Sequence, residues 1–304
     1  VKSFETTGHH EIGKGSVITG SDYSEMLSRW DVNREQFVHE MGGQLVRRKH
    51  EKGHIYFLAM LQNNPVDGWV TLGVNAESAM LFDPMSGEKG VAALRNNNGR
   101  TEIYLQLKPG ESMIVKTFNY PVETEKWTYY QPAEQTIRLD RGWQLSFIES
   151  EPAVEETFTL DRLRSWTDLG QDDLQRNMGT GRYSLTFEIR KNPATEYLLS
   201  LGDVCESAVV RINGEVADTL YAVPFETRIG SLLKEGENKI EIEVTNLPAN
   251  RIADFDRRGV EWRIFHEINF VSITYQPTRF DIWEAMPSGL LGPVTIRELK
   301  RFTP

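Results

Sequence analysis

From residue 44 onward, apolar and polar residues alternate with a period of two. Gln44 to Arg48, His54 to Leu61, Gly68 to Gly73, Thr101 to Leu107 and Ser112 to Phe118 each read as a β-strand. Within Thr101 to Leu107, the side chains of Ile103, Leu105 and Leu107 point one way, and those of Glu102, Tyr104 and Gln106 the other. That is the pattern of a sheet with one buried and one solvated face. Asn63-Asn64-Pro65, Asn96-Asn97-Asn98-Gly99 and Lys108-Pro109-Gly110 supply turn chemistry between strands. Residues 44–125 are therefore expected to form a small β-sandwich.

Pro121 to Pro132 reads as a linker, and a longer strand series begins at Ile137. Tyr183, Leu185, Phe187 and Ile189 alternate with Arg182, Ser184, Thr186 and Glu188; Ile240, Ile242 and Val244 alternate with Glu241, Glu243 and Thr245. Asn213-Gly214 between Ala208–Ile212 and Glu215–Leu220 predicts a hairpin, because a type I′ turn needs two residues at positive φ. Many short strands with few helices imply a second sandwich or jelly roll over 126–304. The fold class is all-β, with two sandwich domains.

The first 43 residues follow another pattern. Ser21 offers a helix cap, and Tyr23, Met26, Leu27 and Trp30 fall at helical spacing, after a glycine-flanked strand start at Gly13 to Ile18. A single strand and helix cannot bury a core alone, so this stretch reads as the tail of a preceding domain.

Composition narrows the class of function. The 304 residues carry a net charge of −10, which excludes a basic nucleic-acid clamp. The longest apolar run, Ile55 to Leu61, is far shorter than the roughly 18–20 residues of a membrane-spanning helix. Cys205 is the only cysteine, leaving neither an intrachain disulfide nor a thiolate zinc cluster. No nucleophile elbow and no phosphate-binding loop occurs. Neither His39-Glu40 nor His266-Glu267 is followed by a second histidine at zinc-protease spacing, and Asp254-Phe-Asp256-Arg-Arg-Gly259 lacks the remaining ligands of a helix–loop–helix calcium site. Calcium held by backbone carbonyls of a sandwich loop leaves no motif and stays open. Trp143 sits at an alternating apolar position beside Leu145 and Phe147 and reads as core. Trp166, Trp262 and Trp283 read either as core plugs or as flat faces for sugar rings.

An ordered series of motifs runs through the second half: Trp143-Gln-Leu-Ser-Phe147, Leu163-Arg-Ser-Trp166-Thr-Asp168-Leu-Gly170, Gly179-Thr-Gly181-Arg-Tyr183, Leu201-Gly-Asp203, Asn213-Gly214, Val223-Pro-Phe225, Gly236-Glu-Asn238, Val244-Thr-Asn246, Asn250-Arg251 and Ser288-Gly-Leu-Leu-Gly-Pro-Val294. The series resembles the galactose-binding-like jelly roll, or family 2 sugar-binding domain, at the C-terminal end of glycoside hydrolases of family 106, the α-L-rhamnosidase type. Upstream, Arg47-Arg48-Lys49, Tyr56-Phe57-Leu58-Ala59 and Asp83-Pro84-Met-Ser-Gly87 look like the segment that follows the catalytic region in those enzymes. Asn177-Met178-Gly179 departs from the family pattern, and the insertion Asp254 to Met286 has no counterpart in it.

The resemblance implies a periplasmic or secreted protein and an accessory region whose catalytic (β/α)8 barrel lies elsewhere, since nothing here alternates strand and helix over about 250 residues. No catalytic residue is carried over. A carbohydrate partner is implied, with Asn250, Arg251, Asp254, Trp262 and Trp283 as candidate contacts on loops at one end of the sandwich; Asn and Arg would bond hydroxyls and Trp would supply a flat apolar face. Arg251 paired with Asp254 as a local bridge is the structural alternative. A free-standing lectin-like carbohydrate-binding module or adhesin is the other reading of the same jelly roll.

Overall fold

The computed structural model describes residues 8–22, 26, 27, 34–193, 195–264, 273, 274, 276 and 278–304. Of the expected first helix, Met26 and Leu27 are helical, whereas Tyr23 and Trp30 lie outside the described residues. The glycine-flanked strand is one arm of an antiparallel hairpin, Gly8–Ile12 with Gly15–Thr19. The chain is all-β in class and divides into two compact units, 1–129 with 302–304, and 130–301.

The first unit contains two antiparallel sheets over one core. One has five strands, in the spatial order Gln44–His50, Gly53–Ala59, Ser112–Phe118, Ser78–Phe82 and Lys89–Val91. The other has three, Val66–Thr71, Arg100–Leu107 and Leu94–Asn97. Ile103, Leu105 and Leu107 are buried as their alternation predicts, against Tyr56, Leu58, Leu81 and Val115. The opposite face departs from expectation. Glu102 is buried rather than solvated, because Arg95 Nε and Asn97 Nδ2 donate to its carboxylate at 2.6 and 2.9 Å. Tyr104 is covered edge-on by Trp69, Tyr129 and Phe302. His50 and His54 lie on the two paired strands of one hairpin.

In the second unit, six strands are ordered Phe158–Leu160, Trp143–Glu151, Met178–Ile189, Gly236–Thr245, Ser207–Ile212 and Glu215–Leu220. Four more are ordered Tyr129–Arg138, Thr295–Phe302, Glu196–Ser200 and Glu226–Arg228. Tyr183, Ile240, Ile242 and Val244 from the first sheet share a core with Tyr197, Leu199 and Ile296 from the second. The hairpin at Asn213-Gly214 has both residues at positive φ, 54° and 88°, as a type I′ turn requires. The Asn213 amide also donates to Leu232 O and Asn238 Oδ1, both at 2.9 Å, so the turn is clamped to the neighbouring loop.

Two expectations need correcting. The segment read as a linker to Pro132 already contains strand from Tyr129 onward, because Tyr129 is anchored by its ring: Ala93 N donates to its hydroxyl at 3.0 Å, and the hydroxyl donates to Tyr104 O at 3.1 Å. Asn250, Arg251 and Asp254, expected on a loop, lie on a helix, Ala249–Arg257.

Candidate functional site

The expected contact residues fall into two groups on either side of that helix. Asn250, Arg251 and Asp254 face inward and are buried. Asn250 grips the backbone of Met286 from both sides, accepting from its N–H at 2.7 Å and donating to its carbonyl at 2.8 Å. One turn before the helix, Asn246 accepts from Gly179 N at 2.9 Å and donates to Ser288 Oγ at 3.0 Å. Together they tie the return segment 286–288 to the end of the long central strand.

Arg251 reaches two carboxylates, Asp254 at 2.9 Å and Glu151 at 2.6 Å, while its guanidinium lies 4.4 Å from the Phe255 ring centre. Asp254 in turn faces Arg258 at 3.2 Å and Arg176 at 3.5 Å. Its one negative charge is shared among three guanidinium groups, so both members of the pair are committed to protein contacts. The helix spacing of three places Arg251 and Asp254 on one face, which makes the local bridge the geometry observed.

The second group is an aromatic cluster beyond the helix C-terminus. Trp262 packs edge-on against Phe280 at 5.8 Å, and Phe280 against Trp283 at 4.7 Å. Arg263 lies over Trp262 and Phe280 at 5.2 and 5.4 Å. Asp256, on the helix's last turn, organises the cluster: its carboxylate accepts from Trp262 Nε1 at 2.7 Å, from Arg263 at 3.3 Å and from Phe280 N at 3.2 Å. Arg257 donates to the carbonyls of Asp281 and Trp283. Trp262 is half-buried, whereas Trp283 is exposed beside the exposed Ile282. Trp166 resolves differently, being wholly buried in the core, as is Trp143.

Asp281 is held below the usual carboxylate range by the hydrogen bonds from Arg279. Among the described residues, no group of three or more His, Cys, Asp or Glu side chains is placed to hold a metal ion. Among the same residues no helix is long and apolar enough to cross a membrane.

The motif residues largely build the sandwich. Trp143 Nε1 donates to Leu139 O at 2.7 Å, and Trp166 Nε1 to the Tyr183 hydroxyl at 2.6 Å. The glycines between them are spaces for rings: a Cβ at Gly181 would lie 2.8 Å from the Trp166 indole. What the chain offers to a ligand here is one open tryptophan on a polar-braced aromatic ledge, not a set of converging reactive groups.

No family model matches the chain. A putative beta-glucuronidase of Formosa agariphila is 28% identical over 255 residues, which cover 76% of this chain and 21% of that protein. The fold follows the rhamnosidase from Novosphingobium sp. PP1Y over 96% of this chain and 27% of that one, with a TM-score of 0.69 and 24% identity. The likeness is to part of a glycoside hydrolase. This chain therefore spans between about a fifth and about a quarter of the proteins it matches.

Proposed function

We propose that these residues form a non-catalytic accessory region of a carbohydrate-active hydrolase of the α-L-rhamnosidase type, family 106, with the second unit a galactose-binding-like jelly roll. The observation that carries the reading is the match of most of this chain to only 21% and 27% of two much longer relatives, one named a putative beta-glucuronidase and one a rhamnosidase. The catalytic barrel then lies elsewhere in the polypeptide, and the working compartment is the periplasm or the cell exterior. Trp262 and Trp283 are the carbohydrate-facing members, and the buried Asn250, Arg251 and Asp254 support the helix behind them.

Turnover of aryl α-L-rhamnosides and aryl β-glucuronides by the 304-residue chain tests this. No hydrolysis above buffer is expected. Turnover that a single Asp or Glu substitution within these residues abolishes would overturn the accessory role.

The exposed Trp283 favours a second reading, a lectin-like module that binds neutral sugar by itself. Saturable heat with L-rhamnose or galactose, lost in Trp283→Ala, supports it; absence of heat with millimolar sugar leaves structural support as the role.

A further inference from the structure

Three segments of the second unit converge on a recess of about 710 Å³, lined by Arg138, Asp140, Arg141, Asp161, Arg162 and the apolar trio Leu163, Leu291 and Pro293. The recess is pinned by backbone. Leu139 N donates to Val294 O at 2.9 Å, and Gly142 N to Leu160 O at 3.2 Å, so the turn at 139–142 is joined to both other walls. Leu163 packs so closely over Gly292, which has φ +73°, that a Cβ there would approach its Cδ1 to 2.9 Å. The recess is open to solvent, with Arg138, Asp140, Arg141, Asp161 and Arg162 exposed around its apolar floor.

Its charges do not cancel. Arg138 pairs with Asp140 at 2.9 Å, whereas Arg141 and Arg162 have no carboxylate partner among the described residues. Three guanidinium groups against two carboxylates leave the recess locally positive on a chain of net charge −10. A guanidinium presents paired donors that match a carboxylate or sulfate. A bare anion would also meet Asp140 and Asp161. A sugar ring bearing an acidic group avoids that conflict, since its hydroxyls donate to the two carboxylates while its C–H face lies on Leu163, Leu291 and Pro293.

We propose that this recess binds an anionic saccharide, a ring carrying either a uronate carboxylate or a sulfate ester. The inference rests on the carbohydrate reading above and adds the ligand class and a location apart from the tryptophan ledge.

The test is calorimetric titration of the full chain with tetragalacturonate, with a sulfated galactan oligomer, with a neutral galactan oligomer and with sodium sulfate. Saturable binding of at least one acidic oligomer is expected, weakening as salt rises. The Arg141→Ala/Arg162→Ala double variant should lose about tenfold or more in affinity, roughly one strong charged hydrogen bond. Arg190→Ala, an exposed arginine outside the recess, should not. Whichever acidic oligomer binds more tightly identifies the anion. Equal binding of the neutral oligomer, sodium sulfate competing at the same concentration as the oligomer, unchanged binding by the folded double variant, or no saturable heat would each overturn the proposal. None of these outcomes bears on turnover, so the accessory role stands or falls separately.

Discussion

The Tyr183 hydroxyl accepts two hydrogen bonds inside the core, from the indole N–H of Trp166 at 2.6 Å and from the Leu290 amide at 3.0 Å. Those bonds join the central strand, the turn at Trp166–Asp168 and the strand Gly289–Gly292 at one buried point. Burial drives the ionisation of the phenol well above its ordinary range, so it stays neutral at every working pH. Tyr183→Phe keeps the ring and orphans two buried donors, at about 1–3 kcal/mol each. Chemical denaturation should show a loss of about 2–4 kcal/mol without change in the far-ultraviolet spectrum. A loss below about 0.5 kcal/mol would mean that the donors find other partners.

Gly289 belongs to the same junction. Its φ is +92°, and a Cβ would sit 2.2 Å from Trp166 Nε1 and 2.4 Å from the Tyr183 hydroxyl. Gly289→Ala should therefore cost more than Tyr183→Phe, at about 3 kcal/mol or above, since it combines backbone strain with overpacking. A near-native denaturation midpoint in this variant would count against the close approach.

Glu102 makes the first unit sensitive to acid. Its carboxylate is lowered below the ordinary glutamate range, chiefly by the hydrogen bond from Asn97, with Arg95 adding to it. A depressed folded-state value stabilises the fold above the unfolded glutamate pKa of about 4.3, and the contribution is lost as pH falls through the lower folded value. Glu102→Gln should lower stability near neutrality by about 1 kcal/mol and flatten that part of the acid limb. Parallel acid limbs for the two proteins would refute the assignment.

Tyr129 sets the opposite limit. Burial pushes its phenol up to about 12. Because the folded value is raised, its contribution is complete below the unfolded pKa of about 10 and is lost as pH rises through 12. Ultraviolet titration of the folded chain should find equal numbers of tyrosines ionising at about pH 10 in the native protein and in Tyr129→Phe; one more in the native protein would show that the Tyr129 ring is open to solvent.

Asn250 holds the return segment through both amide atoms. Asn250→Ala should cost about 1–3 kcal/mol and speed hydrogen exchange at Met286 more than in the strands. Unchanged exchange at Met286 would indicate that Asn246 and Ser288 suffice to hold it.

Strand pattern was legible along the chain because alternation reports one-sided burial directly: Ile103, Leu105 and Leu107, then Tyr183 and Ile240, went inward as their period requires. Asn213-Gly214 was legible because few residue pairs tolerate that backbone. Glu102 was misread, since alternation says which face a residue joins but not whether Arg95 and Asn97 will cover that face. The helix at Ala249–Arg257 is hidden from sequence reading because its buried face carries Asn250, Arg251 and Asp254, residue types that read as solvent-facing; Asp254 sits there among three arginines drawn from two segments. Arg141 and Arg162 carried no signal, as each is one arginine on a polar turn until Leu139, Leu160 and Val294 bring the turns together. The sequence by itself determined the all-β class, the strand faces and the hairpin turn, which depend on residues a few positions apart. The tertiary structure alone decided that Trp166 is core and Trp283 open, and which charges remain unpaired, because burial and charge pairing at these positions are set by neighbours distant in sequence.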